Sequence, residues 1–595
     1  MRSGSSQKFG DVSPIILSSG PASPRLRKGE KEEPLFRLAQ LTPLLVIALI
    51  SIPFLAGIAG TLLPAFGYLP ALGGSELTLQ YFNQLFAEPG LTRSILLSLW
   101  TGFAATILSV FFSGAILAAG FGTRGWAVLM RFLSPILSVP HAATAFALAF
   151  LIAPSGFISR LISPELTGWA NPPDVLIPND PYGLSLIFGL LVKEVPFLLL
   201  MLIAATGQVD ATRSRNMAGA LGYGRLAGFT FVLWPQLYRQ IRIAVFAVLA
   251  FSASVVDVSM ILGPSTPPPL SVLLVRWMSD PELTYRFVAS AGALLQLALV
   301  LMLFVVWLGM EKLGGAMEMH ACQSGRRYPS DNIPRTVMLA SGWVLTISVL
   351  LGIALLGVWS FAGLWSFPDS WPQSLNLNSW MRALPSIGAP LMATFIVGFA
   401  ASLIATILCI LSLAAERPQA QSFRLMGLTL SLPLIVPQTA FLFGLQIAAL
   451  KTNIGYGYGA LIFTHLIFVL PYVFLSLSHA WQSLDKRYVQ MSLALGHSKT
   501  ETLMRVQLPL LLRPVLTAVA VGFAVSVGLY LPTLLIGAGR LPTITTEAIA
   551  LASGGNRRTI GVYAFLQSVI PFIGFALAFA LPAWLFRARA GMRVR

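Results

Sequence analysis

The stretch NMAGALGYGRLAGFTFVLWP, residues 216–235, returns in altered form as QMSLALGHSKTETLMRVQLP, residues 490–509. The two stretches align without a gap at a constant offset of 274 residues (216 to 490), and the identical positions include the glycine pair Gly222 and Gly496. Self-similarity at a fixed spacing indicates an internal repeat. The chain is therefore predicted to consist of two related halves that run in the same direction.

Long apolar runs surround both stretches. The 595 residues are 56% hydrophobic and only 10% charged, with a mean hydropathy of +0.78. A helix needs about 20 apolar residues to cross a bilayer, because every backbone amide must be paired internally once water is gone. The composition excludes a water-soluble globular protein and predicts an all-α integral membrane protein in a lipid bilayer. We place twelve spans near 38–64, 92–120, 127–153, 183–206, 240–263, 287–310, 336–363, 389–415, 425–450, 459–480, 514–537 and 561–586.

These spans divide the chain into two six-helix repeats with three polar segments. Most of the 39 Lys and Arg residues fall in segments on the N-terminal side of the membrane, and the positive-inside rule then predicts that both termini are cytoplasmic. The predicted segments are an unstructured tail (1–37), the first repeat (38–310), a cytoplasmic linker (311–335), the second repeat (336–586) and a basic C-terminus (587–595).

The net charge of +17 is explained by this distribution, so we expect no nucleic-acid partner. The two cysteines, Cys322 and Cys409, belong to no C-x-x-C or Cys/His cluster. Neither a disulfide nor a structural metal site is expected.

Each repeated stretch predicts two short helices separated by a tight turn. Gly222 and Gly496 can adopt the left-handed backbone that closes a helix and turns the chain. Pro235 and Pro509 fit the first turn of a helix, where no amide donor is needed. Basic residues flank both copies. The pattern predicts a compact projection on the cytoplasmic face, suited to a groove on another protein.

This pattern resembles the EAA loop of binding-protein-dependent ABC importer permeases, written E-A-A-x-x-x-G followed by nine residues and I-x-L-P. An amide replaces the leading Glu in both copies, and Trp234 stands where Leu is usual. The residues that carry the resemblance are Asn216, Met217, Ala218, Gly222 and Pro235 in the first copy, and Gln490, Met491, Ser492, Gly496 and Pro509 in the second.

The fused six-plus-six arrangement is similar to the ferric-iron and thiamine branch of that family, above all to large fused permeases assigned to thiamine-type uptake. The resemblance implies two parallel type I permease repeats in a bacterial inner membrane. It also implies a soluble extracytoplasmic binding protein and two cytoplasmic ABC ATPase subunits seated on the repeated loops. No G-x-x-x-x-G-K-[ST] motif occurs, so ATP is expected on the partners, and the chain is expected to be neither an enzyme nor a cofactor protein. Thiamine, a related compound and ferric iron are the implied substrates.

Ionisable side chains inside the predicted spans cost several kcal/mol unless they are paired or hydrated. Adjacent Lys193 and Glu194 point about 100° apart on a helix and cannot pair face to face. Asp257 is one candidate partner for Lys193. The set either lines a substrate path or forms structural ion pairs between helices, and the sequence leaves both open. The candidate path residues are His141, Lys193, Glu194, Asp257 and His465.

Two other classes of protein are considered. An ion-coupled secondary transporter also shows six-plus-six repeats, but that class gives no reason for paired Gly and Pro positions in the repeated loops. A membrane enzyme would need a concentrated set of acidic or His residues at one face, whereas the outer segments 154–182 and 264–285 hold only scattered polar residues. An importer permease is therefore favoured, with these outer segments as the docking face for the binding protein.

Overall fold

The computed structural model describes residues 34–415, 421–451, 457–585 and 587. Within these ranges the chain is built of α-helices, and β-type pairing is confined to two isolated bridges. The all-α prediction is confirmed for this part of the chain. Most of the predicted N-terminal tail and of the basic C-terminus lies outside the described residues.

The first half begins with α1, which already starts within the predicted tail. Its helices are α1 (Pro34–Ala65), α2 (Gln80–Ala87), α3 (Leu91–Gly120), α4 (Arg124–Ile136), α5 (His141–Ile152), α6 (Leu184–Thr206), α7 (Ala211–Ala220), α8 (Arg225–Ser254), α9 (Asp257–Leu262), α10 (Leu270–Met278) and α11 (Tyr285–Gln323).

The second half repeats this order from its own first span onwards. Its helices are α12 (Asn332–Phe361), α13 (Asn378–Ala414), α14 (Gln421–Ile435), α15 (Gln438–Lys451), α16 (Tyr458–Gln482), α17 (Lys486–Ala494), α18 (Lys499–Leu510), α19 (Leu512–Gly528), α20 (Leu531–Gly537), α21 (Ile544–Ala552) and α22 (Arg557–Leu585).

The number of spans agrees with the prediction. Among the described residues, ten helices are long and apolar enough to cross a bilayer, and two bent helix pairs raise the number to twelve if each pair is one span. The third span of each half is broken, since α4 and α5 are separate and α14 and α15 meet at an angle of 99°. Pro140 and Pro437 lie at these breaks. They account for them, because a proline removes one helical hydrogen bond and disfavours helix at the preceding residue.

The fifth span of each half ends earlier than predicted. In place of the continuous runs 240–263 and 514–537, α8 ends at Ser254 and α19 at Gly528, and the short helices α9 and α20 follow. At the C-terminal ends of α8 and α19, hydroxyl groups donate to carbonyl oxygens that have no partner within the helix. Ser271 donates to the Val255 carbonyl at 2.7 Å, and Thr545, at the equivalent position of the repeat, donates to that of Val527.

The segment 264–285, predicted as an outer loop, folds back into the protein. It contains α10, in which Leu270 and Trp277 are buried. The sequence VLLV inside α10 supplies enough apolar area to hold this segment against α3 and α11. Less of this segment is therefore open to a partner than the sequence suggested.

The first helix of each half packs against the other half. Helix α1 lies along α15, while α12 lies along α3 and α5. Small residues allow these close approaches, as is typical of helices packed in lipid. A Cβ on Gly60 would lie 2.6 Å from the Gly444 carbonyl oxygen, and a Cβ on Gly352 would lie 2.8 Å from that of Ala147. The two halves are thus interleaved.

The connection between the halves is largely helical. Helix α11 runs without a break across residue 310 as far as Gln323, and α12 already begins at Asn332. Residues 324–331, which we call the linker strand, form the non-helical part of the predicted linker. The boundaries of the two repeats at 310 and 336 stay a prediction.

Candidate functional site

The two repeated stretches form matching helix–turn–helix units, here called the first repeat loop (residues 211–235) and the second repeat loop (residues 486–509). In each, a short helix ends two residues before a glycine with positive φ, +83° at Gly222 and +87° at Gly496. The predicted left-handed turns are confirmed. A second helix, α8 or α18, then leads towards the membrane.

Pro235 and Pro509 lie in the first turn of the α-helical stretches that begin at Trp234 and Leu508, as the sequence predicted. One turn of π-helix comes just before each proline, at Phe229–Leu233 and at Leu503–Gln507. The wider turn occurs where proline lacks the amide that an α-helix would use. After Pro235 the helix continues to Ser254, whereas after Pro509 the chain bends by 76° between α18 and α19.

Each repeat loop holds its two helices together through one close contact. In the second loop the Ser492 and Thr502 hydroxyl oxygens lie 2.9 Å apart. In the first loop the same two positions are Ala218 and Gly228, and a Cβ on Gly228 would lie 2.8 Å from that of Ala218. One side of each short helix is therefore fixed against the protein.

The opposite side of each short helix carries exposed apolar residues. Met217 and Leu221 are 58% and 55% exposed, and their repeat equivalents Met491 and Leu495 are 62% and 77% exposed. Asn216 and Gln490, the amides that replace the leading Glu, are exposed as well. Large apolar side chains surrounded by polar ones are characteristic of protein–protein contact surfaces.

A separate group of polar side chains lies where the broken helices meet. His141, the first residue of α5, places its Nε2 3.4 Å from Oε1 of Glu194 on α6. Asp257, the first residue of α9, lies within electrostatic range of His141. The two carboxylates are 4% and 9% exposed, while the His141 side chain is 36% exposed. The structure thus brings together three of the five candidate path residues.

Two tyrosines of the second half border this group. Tyr472 of α16 lies within electrostatic range of Glu194, and Tyr530, just before α20, within range of Asp257. Sequence reasoning missed both. The available signal was their position, since Tyr472 follows the kink proline Pro471 and Tyr530 lies 274 residues after Val256, beside Asp257.

Lys193 lies within electrostatic range of Glu194 but forms its hydrogen bonds outside this group. Its ammonium donates to the carbonyl oxygens of Ile136 at 3.1 Å and Val139 at 2.6 Å, at the C-terminal end of α4. A cation is favourable there because the last carbonyls of a helix have no partner within the helix. The suggested pairing of Lys193 with Asp257 is therefore wrong.

His465 also has a bonding arrangement of its own, between α16, α19 and α20. Its Nδ1 lies 2.7 Å from the Ser526 hydroxyl and its Nε2 2.9 Å from that of Thr533. Thr533 donates its hydroxyl proton to the Leu529 carbonyl, so it accepts from Nε2–H. The His465 side chain is thus bonded on both sides and buried, at 1% exposure. A role for Lys193 or His465 in a substrate path stays a prediction.

The second half does not reproduce the polar group. Gln438, Val469 and Leu531 occupy the positions equivalent to His141, Glu194 and Asp257. The group is therefore asymmetric, with its charges from the first half and its aromatic side chains from the second.

Comparison with known proteins now adds to this geometry. Residues 411–589, which include the second repeat loop, match the family described as "Binding-protein-dependent transport system inner membrane component". This part of the chain carries the domain of that permease family. The Inner membrane ABC transporter permease protein YnjC of Escherichia coli (strain K12) is 29% identical over 521 residues, which cover 87% of the chain and 93% of that protein.

Two proteins named Thiamine transport system permease protein ThiP are also similar to the permease. That of Escherichia coli (strain K12) is 25% identical, over 72% of the chain and 78% of the relative. That of Salmonella typhimurium (strain LT2) is 23% identical, over 82% of the chain and 85% of the relative. The predicted family and fold class are confirmed, and the permease is a multi-pass ABC importer permease subunit.

Proposed function

We propose that this permease forms the translocation path for a small organic cation of the thiamine type, delivered by an extracytoplasmic binding protein. Two separate cytoplasmic ATPase subunits drive transport by hydrolysing ATP, one at each repeat loop. The chain itself binds no cofactor, lies in a bacterial inner membrane and has both termini in the cytoplasm. The observation that carries the proposal is the pair of matched repeat loops.

The exposed residues of the loops support the docking of ATPases. Equivalent Met and Leu side chains project from both loops, so two copies of one partner would find the same anchors twice. These exposed residues lie on or next to a short helix whose opposite side packs against the protein. Movement of a bound ATPase would therefore move that helix. That arrangement is what alternating access requires of a coupling element.

The polar group supports a cationic substrate. Glu194 and Asp257 place two carboxylates at the junction of the halves, and the nearby Lys193 ammonium donates to carbonyl oxygens. Tyr472 and Tyr530 add aromatic rings, whose faces attract cations. The relatives named as thiamine permeases point to the same chemistry.

Docking is tested by charge substitution on the exposed methionines. We compare wild type with Met217→Glu, Met491→Glu and the control Met317→Glu, whose side chain is 65% exposed on α11 outside the loops. A carboxylate in an apolar contact costs several kcal/mol, so each loop variant should lose at least tenfold in affinity for the co-expressed ATPase. Equal affinity of loop and control variants would overturn the proposal, as would uptake that follows an ion gradient without ATP.

Substrate class is tested by uptake of labelled thiamine and of labelled ferric iron into cells that carry the whole transporter. Glu194→Gln and Asp257→Asn keep the side-chain volume but remove the charge. Thiamine uptake should fall about tenfold or more in each, since each removes a favourable interaction with the bound cation. Iron uptake without thiamine uptake would reject the organic cation.

A further inference from the structure

The two repeat loops differ at the start of their second helix. In the second loop, Ser498 is the N-cap of α18 and forms a complete capping box with Glu501. The Ser498 hydroxyl accepts from the Glu501 amide at 3.2 Å, and the Glu501 carboxylate accepts from the Ser498 amide at 3.1 Å. Both unpaired amides are satisfied within the loop.

The first loop lacks both residues of this box. Gly224 stands at the position of Ser498, and Ala227 at the position of Glu501. Neither side chain can accept a hydrogen bond. The amides at the start of α8 would therefore remain without partners if the loop stood alone.

The linker strand supplies acceptors at this helix start. The Gly224 amide donates to the Arg327 carbonyl oxygen at 3.0 Å, and the Leu226 amide donates to Oδ2 of Asp331 at 2.7 Å. The Arg327 carbonyl thus replaces the Glu501 carboxylate, whereas Asp331 caps the amide one position before the one that Ser498 caps in the second loop. The Arg327 guanidinium also donates to the Leu221 carbonyl, one residue before the turn glycine.

Gly224 is required for this contact. A Cβ at this position would collide with the carbonyl oxygen of Tyr328 in the linker strand. The serine that caps the second loop could not be accommodated here unless the strand moved away. The first loop and the linker strand are thus built to fit each other.

Asp331 also connects the loop to the second half. It is the N-cap residue of α12, and its own carbonyl accepts from the Arg335 amide at 3.0 Å. Aspartate at this position ordinarily caps its own helix. Here the carboxylate caps α8, is 8% exposed, and joins the starts of two helices that belong to different repeats.

We propose that Asp331 and the Arg327 carbonyl are positioning elements of the first coupling loop. They lie outside this loop and cap its second helix, whereas the second loop caps its own helix with Ser498 and Glu501. The proposal rests on the proposed coupling function of the loops. According to this proposal, the linker strand takes part in coupling together with the first repeat loop. Motion of the first loop is passed directly to α12, whereas the second loop is closed by its own residues.

The test compares wild type, Asp331→Ala, Asp331→Asn and Gly224→Ala, whose Cβ would collide with the linker strand. Ser498→Ala is the matched control in the second loop. The first readout is amide hydrogen exchange of residues 221–233 in the purified permease, which needs no ATPase. Loss of an N-cap should raise exchange there about fivefold in Asp331→Ala and much less in Asp331→Asn, which keeps an acceptor oxygen. Ser498→Ala should raise exchange in the second loop alone.

The second readout is the number of solute molecules imported per ATP hydrolysed by the whole transporter. Asp331→Ala and Gly224→Ala should both lower this ratio, whereas Asp331→Asn should lower it much less. Unchanged exchange in Asp331→Ala, equal increases in both loops after that substitution, or an unchanged ratio in both variants would each overturn the proposal. Failure of wild-type permease to recruit any ATPase would instead reject the proposed function, while the exchange data would still decide the capping.

Discussion

Substitution of Gly444 by alanine should separate α1 from the second half. Gly444 lies where α15 meets α1, and its amide donates to the Thr61 hydroxyl at 3.0 Å. A Cβ on Gly444 would collide with the Gly57 carbonyl oxygen and would lie 2.6 Å from the Gly60 carbonyl carbon. Ordinary carbon–carbon contacts are about 3.5–4.0 Å, so the helices must move apart by at least about 1 Å.

The energetic cost follows from this displacement. Overpacking by one methyl group typically costs about 1–3 kcal/mol, and the stretched hydrogen bond adds about 1 kcal/mol. Relative to a Gly→Ala change at an uncrowded helical position, which gains the same helix propensity, the free energy of unfolding should therefore fall by about 2–4 kcal/mol. The lipid offers α1 no compensating hydrophobic gain, because acyl chains are as apolar as the displaced side chains.

The assay is unfolding of the purified permease by SDS in mixed micelles, followed by tryptophan fluorescence. Gly388→Ala is the matched control, since a Cβ added to this exposed glycine of α13 would meet no atom within 4 Å, and the change gains about 0.5–1 kcal/mol from helix propensity. If Gly444→Ala unfolds at the same SDS fraction as Gly388→Ala, the interleaving of α1 with the second half is refuted.

Two further substitutions test how much buried cationic side chains contribute to stability. Arg160 is 4% exposed, donates to the Ser366 carbonyl at 2.7 Å and lies 5.1 Å from the Trp365 ring centroid, so Arg160→Met should cost about 2–4 kcal/mol in the same unfolding assay. An unchanged midpoint would contradict this tie between the outer segments of the two halves. Lys193→Met frees the carbonyls at the end of α4, so it should lower expression and stability by about 1–3 kcal/mol while KM for uptake stays constant. A raised KM with normal stability would instead place Lys193 in the substrate path.

The repeat loops were predictable because their determinants are local. A glycine with positive φ and a proline near a helix start act through their own backbone, so their spacing alone predicted both turns. Duplication made the pattern visible, since Gly222 and Gly496 fall on each other at a fixed offset. The twelve spans were likewise predictable from apolar runs of sufficient length.

Features that depend on distant residues were not predictable. Asp257 was one candidate partner for Lys193, but the end of α4 supplied carbonyl oxygens that no charge pattern reveals. The break after Ser254 contains no proline, and it depends on a hydroxyl from α10 that reaches the freed carbonyl. The cap that Asp331 provides for α8 joins residues 105 positions apart, and in the sequence Asp331 resembles an ordinary N-cap of α12.

The interleaving of α1 with α15 sets an order for biosynthesis. Gly57 emerges from the ribosome almost 400 residues before Gly444, the residue whose backbone it contacts. At about 5–20 residues per second, α1 waits roughly 20–80 s in the bilayer before its partner helix exists. During that interval its glycine-lined face is open to lipid or to any other small-residue helix nearby. The nascent first half therefore remains incomplete until the second half is made, and a truncated product of translation would carry an unpaired α1 that quality-control proteases can recognise.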